Sequence, residues 1–457
     1  MRNIILFILI TLTTTSFAAN NLHHYTLKNG LNMYVKVDKR APVAVFQIWY
    51  HVGGSYEVNG QTGISHLLEH MMFDGTKKYP SGQLAKIVDN NGGEINAFTA
   101  RDFTAYYEEL AANKMPLSFQ LESDRMQHLS LTQQQFNKEI KVVREERRMR
   151  IDNNPQAETY ERFNAALFVS SPYHHLTIGW MDDLYHLNVA DVRHWYNTWY
   201  APNNATIVIV GNVDPSKMQA LANQYFGSIK SKTLPARPAT TEIPSLGKRS
   251  VNVHLPATVS TLFMGYNAPT LNTTKNAWKV YALDVLTGVL SAGESSLLQH
   301  QLVRGSHVAA SVDVDYDATA RLSDAVSITG IPAKGHTVIQ LRQAIEGVLQ
   351  QLQNKPIDSK TLQRVKNQMI ASHTYAKDSM SDQATEIGSV VSVGLPVNTL
   401  DTYISHINKV TAKQIQAVAK EFLTQNNLTE TVLTPLPMTQ ADAKQQAHAA
   451  AMGKTLH

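Results

Sequence analysis

The chain has 457 residues, 43% hydrophobic and 17% charged, with a net charge of +4 and no cysteine. That length exceeds one ordinary core, so two domains are expected, and the small charge without a basic run argues against a nucleic-acid partner. The missing cysteines exclude disulfides and thiolate-bound metal, so any metal must be held by His, Asp and Glu.

The chain begins "MRNIILFILITLTTTSFAAN", with Arg2, a short apolar run from Ile4 to Leu12, and small residues Ser16 and Ala18 before Ala19. This pattern reads as a secretory signal peptide over 1–18. The run is too short for a membrane span, and no later segment is apolar and long enough to cross a bilayer.

Between Leu22 and Glu57 apolar and polar residues alternate, and Asn29-Gly30 marks a turn between strands. Helical patterns follow from about Ile64 and from Gly82 to Asn90. The stretch "GEINAFTARDFTAYYEEL" reads as a strand pair, and two longer helices are expected at Met115–His128 and Thr132–Ile151. A helix over Asp191–Trp199 leads into the strand "NATIVIVGNVD". Residues 231–249, "SKTLPARPATTEIPSLGKR", are rich in Pro, Ser and Thr without a period and read as an interdomain linker.

The second half repeats the first. "HLNVADVRHWYNTWYAPNNATIVIVGNV" from His186 and "HINKVTAKQIQAVAKEFLTQNNLTETVLTPL" from His406 share His-apolar-Asn, an amphipathic helix, Asn-Asn and a strand. A duplicated domain is expected: 19–230 and its homologous counterpart 250–442, with a tail over 443–457. Strands and helices mixed without regular βαβ alternation point to α+β domains, each a mostly antiparallel sheet packed with helices.

The chemistry concentrates in "GISHLLEHMMF", residues 63–73. At about 100° per residue, His70 lies near +40° and Glu69 near −60° from His66, so all three share one helix face. Two imidazoles four apart can reach one metal ion, and the carboxylate between them can take a proton from its water. A lone histidine on an apolar helix is ordinary; a spaced pair enclosing a carboxylate is much rarer by chance. A catalytic zinc needs a third ligand, for which "TQQQFNKEIKVVREERRMR" offers candidates. Its apolar stripe is Phe136, Ile140 and Val143. Glu139 and Glu146 border that stripe, whereas Glu145, Arg144 and Arg148 suit a solvated charge run. Geometry therefore prefers Glu146 as a ligand, with Glu139 as a carboxylate supporting one from behind. His51, His128, His174 and His175 are assigned to structure or surface, not to the metal.

With these residues in place, the chain resembles the pitrilysin, insulin-degrading enzyme and mitochondrial processing peptidase superfamily, the inverzincins. The His-x-x-Glu-His order, and a glutamate 75 residues beyond it at Glu146, carry the likeness. So do "NAFTARDFTAYY", "VVREERRMRIDNNP", "SPYHHLTIGWMDD" and "NNATIVIVGNVD", and, in the second half, "LLQHQLVRGSHVAASV" and "ATEIGSVVSVGLP". The resemblance implies one Zn²⁺ per chain on His66, His70 and Glu146, with Glu69 as general base. It implies a sheet edge around Asn96 and Ala97, to which an extended, unfolded peptide adds as a strand. It also implies that 19–230 is the catalytic domain and 250–442 its non-catalytic, substrate-binding counterpart, the two forming half of a clamshell that a dimer completes. The family often carries an Arg and, six residues on, a Tyr at the substrate. Arg304 fits the first position, but the second is Ala310. A homologous partner chain lacking the zinc motif would supply the missing tyrosine, or this subfamily does without it. The expected function is that of an exported, most simply periplasmic, zinc endopeptidase. The alternative is a non-hydrolytic scaffold subunit, against which the complete ligand set argues.

Overall fold

The computed structural model describes residues 21–237 and 240–452, so the expected signal peptide lies outside the described residues. The first sheet contains β1 (Leu22–Thr26), β2 (Asn32–Val37), β3 (Val43–Tyr50), β4 (Glu94–Thr99), β5 (Thr104–Ala111) and β6 (Ala205–Gly211), in the order β1-β2-β6-β3-β5-β4. The second contains β7 (Arg249–Pro256), β8 (Thr261–Ala268), β9 (Ala309–Asp315), β10 (Asp324–Pro332) and β11 (Leu428–Leu436), in the order β7-β11-β8-β10-β9. Each sheet has one parallel pairing, β2 with β6 and β7 with β11, and is otherwise antiparallel. The fold is α+β, with two such sheets packed against helices.

The helices of the first half are α1 (Ile64–Met72), α2 (Gln83–Asn90), α3 (Met115–His128), α4 (Gln133–Arg147), α5 (Pro155–Leu167), α6 (Met181–His186), α7 (Val189–Trp199) and α8 (Pro215–Phe226). Those of the second are α9 (Ala277–Ser291), α10 (Val338–Asn354), α11 (Ser359–Ala376), α12 (Met380–Ser392), α13 (Thr399–Lys409), α14 (Ala412–Phe422) and α15 (Gln440–Met452). Among the described residues, no helix is long and apolar enough to cross a membrane.

Setting β1 aside, the two sheets have the same strand order and the same directions. In each, one helix, α1 or α9, follows the central strand, and a helix pair, α3–α4 or α10–α11, follows the next hairpin. The repeated α7–β6 and α14–β11 units agree in detail. Asn188 and Thr411 each close a capping box, and sixteen residues later the amides of Asn204 and Asn427 donate to the last carbonyls of their helices, at Trp199 and Phe422. The cap of α14 is thus Thr411, three residues beyond the position that matching the His-x-Asn motifs implies.

Helices α5 and α12 are exchanged between the halves. Helix α5 packs on β7, β8 and β11 of the second sheet, while α12 packs on β3 and β6 of the first. Glycines allow both approaches: a Cβ on Gly388 of α12 would lie 2.0 Å from the Trp49 ring, and one on Gly265 of β8 would lie 2.7 Å from Phe163 of α5. Two small apolar clusters form there, one around Trp49, Val208, Ala384 and Ile387 and the other around Phe163, Leu167, Phe263 and Leu322, apart from the main core of each half.

The segment read as a linker is a docked strap. Glu242 accepts hydrogen bonds from the amides of Val169, Ser170 and Ser171, Lys232 donates to the Tyr200 carbonyl, Arg237 meets His51, and Arg249 already begins β7. Proline and serine content masked this because the contacts are made by individual charged residues without a repeat.

Candidate metal centre

Helix α1 buries Ile64, Leu67, Leu68, Met71 and Met72 in the first core, leaving His66, Glu69 and His70 on its other face. Its N-terminus is fixed by carboxylates: Glu57 accepts from the amides of Gly63 (2.7 Å) and Ser65 (2.8 Å), and Asp183 accepts from the amides of Gly60 and Thr62 and from the Thr62 hydroxyl. Helix starts leave amides unpaired, and buried carboxylates answer them. Burial nevertheless pushes the Glu57 pKa up to about 7, against the pull of those amides.

Helix α4 begins at a Thr132–Gln135 capping box, packs against α1, and buries Phe136, Ile140 and Val143 in the same core. Glu139 and Glu146 are buried beside that stripe, and Glu145 is exposed, as the helix-face reading expected. The expected straight continuation to Ile151 gives way to a wide π-turn over Arg148–Asp152. At this bend Arg147 turns inward to Glu161 and the Gly179 carbonyl, and Arg150 reaches back to Glu146. Arg144 is not part of a solvated run either; its guanidinium donates to the Leu184 carbonyl and lies 4.5 Å over the Tyr185 ring.

One donor atom each from His66, His70 and Glu146 lies within 4.8 Å of the others. Oε2 of Glu146 stands 3.7 Å from His66 Nε2 and 3.3 Å from His70 Nε2, and its Oε1 is 3.1 Å from Arg150 Nε. Glu139 places Oε2 3.6 Å from His70 Nδ1 and Oε1 2.7 Å from Lys138. Burial lowers the His66 pKa to about 4, keeping that imidazole neutral. Burial also disfavours charge on His70, but Glu139 and Glu146 override it and raise its pKa to about 9. Burial raises the Glu69 carboxyl, opposed by the hydroxyl of Thr99, which donates to Oε2 at 2.5 Å.

Asn96 and Ala97 lie on β4, the outermost strand of the first sheet, which pairs only with β5. Arg304 is exposed and paired with Glu294, with no contact to the histidines among the described residues, and Ala310 is exposed on β9. His51 bonds Thr206, His128 bonds Asp124, His174 bonds the Ser171 carbonyl, and His175 sits buried 4.0 Å from Glu57. None of them joins the group around His66. Sequence reasoning missed Thr99, Arg150 and Glu57. Thr99 left a signal, since alternation along β4 places it on the face of Ile95 and Ala97, and so did Arg150, four residues after Glu146.

Residues 33–179 match the family described as insulinase (peptidase family M16), and residues 186–369 match the peptidase M16 inactive domain. The zinc protease PqqE of Helicobacter pylori is 30% identical over 439 residues, covering 94% of this chain and 97% of PqqE. The chain belongs to the M16 peptidase family. A protease structure from Helicobacter pylori matches this M16 chain with a TM-score of 0.85 at 29% identity, over 91% of this chain and 99% of that one. The periplasmic protease PqqL from Escherichia coli shares the fold at 16% identity, with a TM-score of 0.75 over 94% of this chain and 50% of PqqL. The M16 chain is therefore a zinc-protease homologue with a candidate metal site at His66, His70 and Glu146.

Proposed function

We propose that this chain is an exported zinc endopeptidase that hydrolyses unfolded oligopeptides, with one Zn²⁺ on His66, His70 and Glu146 and with Glu69 as general base. The observation that carries the reading is the convergence of those three donor atoms within 4.8 Å, two of them on the same turn of α1 as a carboxylate held by Thr99 and the third on α4. Two imidazoles and one carboxylate are a donor set that suits zinc and leaves a fourth position open. The residues fit it, because Nε2 of both imidazoles faces one oxygen of Glu146, at 3.7 and 3.3 Å. When bound there, zinc supplies a Lewis acid for the scissile carbonyl and the attacking water.

The remaining work falls to the chain. Glu69 takes the proton of the attacking water and returns it to the leaving amine. Glu139 holds His70 from behind through Nδ1, and Arg150 takes one oxygen of Glu146 so that the other faces the imidazoles. The free edge of β4 at Asn96 and Ala97 offers main-chain hydrogen bonds to an extended peptide, a mode that selects unfolded chains over folded ones. Arg304 is assigned to substrate binding from the second half. Because Ala310 offers no phenol, a dimer with a homologous chain lacking the zinc motif is the arrangement that supplies one. The signal-peptide pattern supports export, and the periplasmic description of PqqL supports that compartment.

The test is hydrolysis of an unfolded peptide mixture by the mature chain with added zinc, beside Glu69→Gln. Loss of cleavage in the variant, with zinc still bound, is the expected result. Equal cleavage by both proteins would overturn the assignment. Zinc-loaded protein that cleaves only after a homologous chain is added would establish the heterodimer.

A further inference from the structure

Glu69 and Thr99 meet across two different segments: Glu69 on α1, reached through Gly53–Glu57, and Thr99 at the end of β4, just before the turn 100–103. The spacing of their 2.5 Å contact depends on how those segments are joined. The join is visible. The amides of Gly54 and Ser55 donate to the carbonyls of Ala100 (3.1 Å) and Arg101 (2.6 Å), and a Cβ on Gly53 would lie 2.3 Å from the Ala100 carbonyl oxygen.

A residue of the second half closes this join. Arg321 donates from Nε to Asp102 Oδ1 (3.1 Å) and from Nη2 to Ser55 Oγ (2.7 Å), and its guanidinium lies 4.5 Å over the Tyr56 ring. Ser55 itself donates to Asp102 Oδ1 (2.6 Å), and Tyr173 donates to Asp102 Oδ2. The main chain of 321–322 completes the set, the Arg321 amide donating to Asp102 and the Leu322 amide to Tyr173. Beside it, Arg101 pairs with Asp324 at 3.2 Å. Ser55, Asp102, Tyr173, Arg321 and Asp324 are all buried. A buried polar network with its groups paired fixes geometry more tightly than apolar packing, because each displaced partner leaves a desolvated group behind.

We propose that Thr99 is a positioning residue for the general base, and that the second half of the chain sets its position through Arg321 and Asp102. The Thr99 hydroxyl fixes one oxygen of Glu69 and leaves the other directed at the attacking water. The Asp102–Ser55–Arg321 join holds strand end and helix start at one separation. The domain without metal ligands thereby acts on the chemistry and not only on substrate enclosure. This inference rests on the proposed peptidase reading.

The experiment compares Thr99→Val, Thr99→Ser and Asp102→Asn, alone and as the Val/Asn double variant, in the full mature chain loaded with zinc. The probe is a quenched-fluorescence oligopeptide chosen from the fragments that the wild type cuts. Thr99→Val is expected to lower kcat by about 10- to 100-fold, the scale of a misplaced catalytic group, with KM within about 2-fold. Its zinc affinity, measured by competition with a chromophoric chelator, should match the wild type. Thr99→Ser should restore most of kcat. Asp102→Asn should lower kcat in the wild-type background and much less in the Thr99→Val background, since both act through one contact. Wild-type kcat in Thr99→Val overturns the proposal, as does a loss that serine does not restore. Equal effects of Asp102→Asn in both backgrounds overturn the part played by the second half. Should Asp102→Asn fail to fold, the Val/Ser pair still decides the role of Thr99. Glu69→Gln separates the two levels: full activity in that variant removes the peptidase assignment itself, whereas an inactive Glu69→Gln beside a fully active Thr99→Val removes only this inference.

Discussion

Helices α1 and α9 occupy the same place in the repeated topology, each after the central strand of its sheet and each against the second helix of the following pair. They are built from opposite materials. Helix α9 buries Val280, Leu283, Val285, Leu286 and Val289, and Gly288 lets Val365 and Met369 of α11 come close. Helix α1 turns His66, Glu69 and His70 toward Glu139 and Glu146 of α4. This arrangement is costly to the fold, since His66 keeps a buried Nδ1 without a hydrogen-bond partner and its charged form is strongly disfavoured. The difference teaches that the architecture does not need the site. One copy keeps polar groups where the other has spent the position on packing.

The comparison breaks most completely at the ligands. His66→Ala, His70→Ala and Glu146→Gln should each weaken zinc retention by at least about 100-fold and bring hydrolysis to background, as read by metal content after dialysis and by peptide cleavage. The joint change of His66 and His70 to Leu makes α1 resemble α9. It should abolish metal binding and also cost the metal-free protein about 1–3 kcal/mol in urea unfolding, because Glu139 and Glu146 stay buried and lose their partner on His70.

The exchanged helices give the next effect. A methyl on Gly388 meets the rigid Trp49 ring at 2.0 Å, whereas one on Gly265 meets the movable tips of Phe163 and Leu167 at 2.7 and 2.8 Å. Gly388→Ala should therefore cost about 2–3 kcal/mol in unfolding free energy and Gly265→Ala less, and the opposite ranking would show that the Trp49 ring yields more easily than Phe163 and Leu167. The smallest effect belongs to Gly347, inside α10, where an added Cβ meets nothing within 4 Å. Gly347→Ala should stabilise by about 0.5–1 kcal/mol, visible as a small rise in the same unfolding midpoint.

The candidate metal group on α1 was legible because its information is local: two imidazoles and a carboxylate on one turn need only the helical period. Glu146 was legible for a related reason, since its distance from the apolar stripe of α4 distinguishes it from Glu145. Arg150 stands four residues after Glu146, the ordinary helical pairing distance, but the arginine-rich run around it gives no reason to single it out. Thr99 was not assigned because its role depends on a contact thirty residues away and on where β4 ends. The duplication showed in sequence, but motif matching placed it three residues out of register at its start. His-x-Asn is not what caps α14; the Thr411–Gln414 box is. The exchange of α5 and α12 left no mark, because an amphipathic helix does not state which sheet it will cover.

That exchange constrains the order of events during synthesis. Trp49 emerges early, yet its cover at Ala384 and Ile387 lies more than three hundred residues downstream. A ribosome that has delivered the whole ligand set has still not delivered the helix that closes the reverse side of its sheet. The nascent first half therefore presents a bare aromatic surface throughout most of translation, a natural landing place for a chaperone, and the enzyme matures only when its late segment arrives.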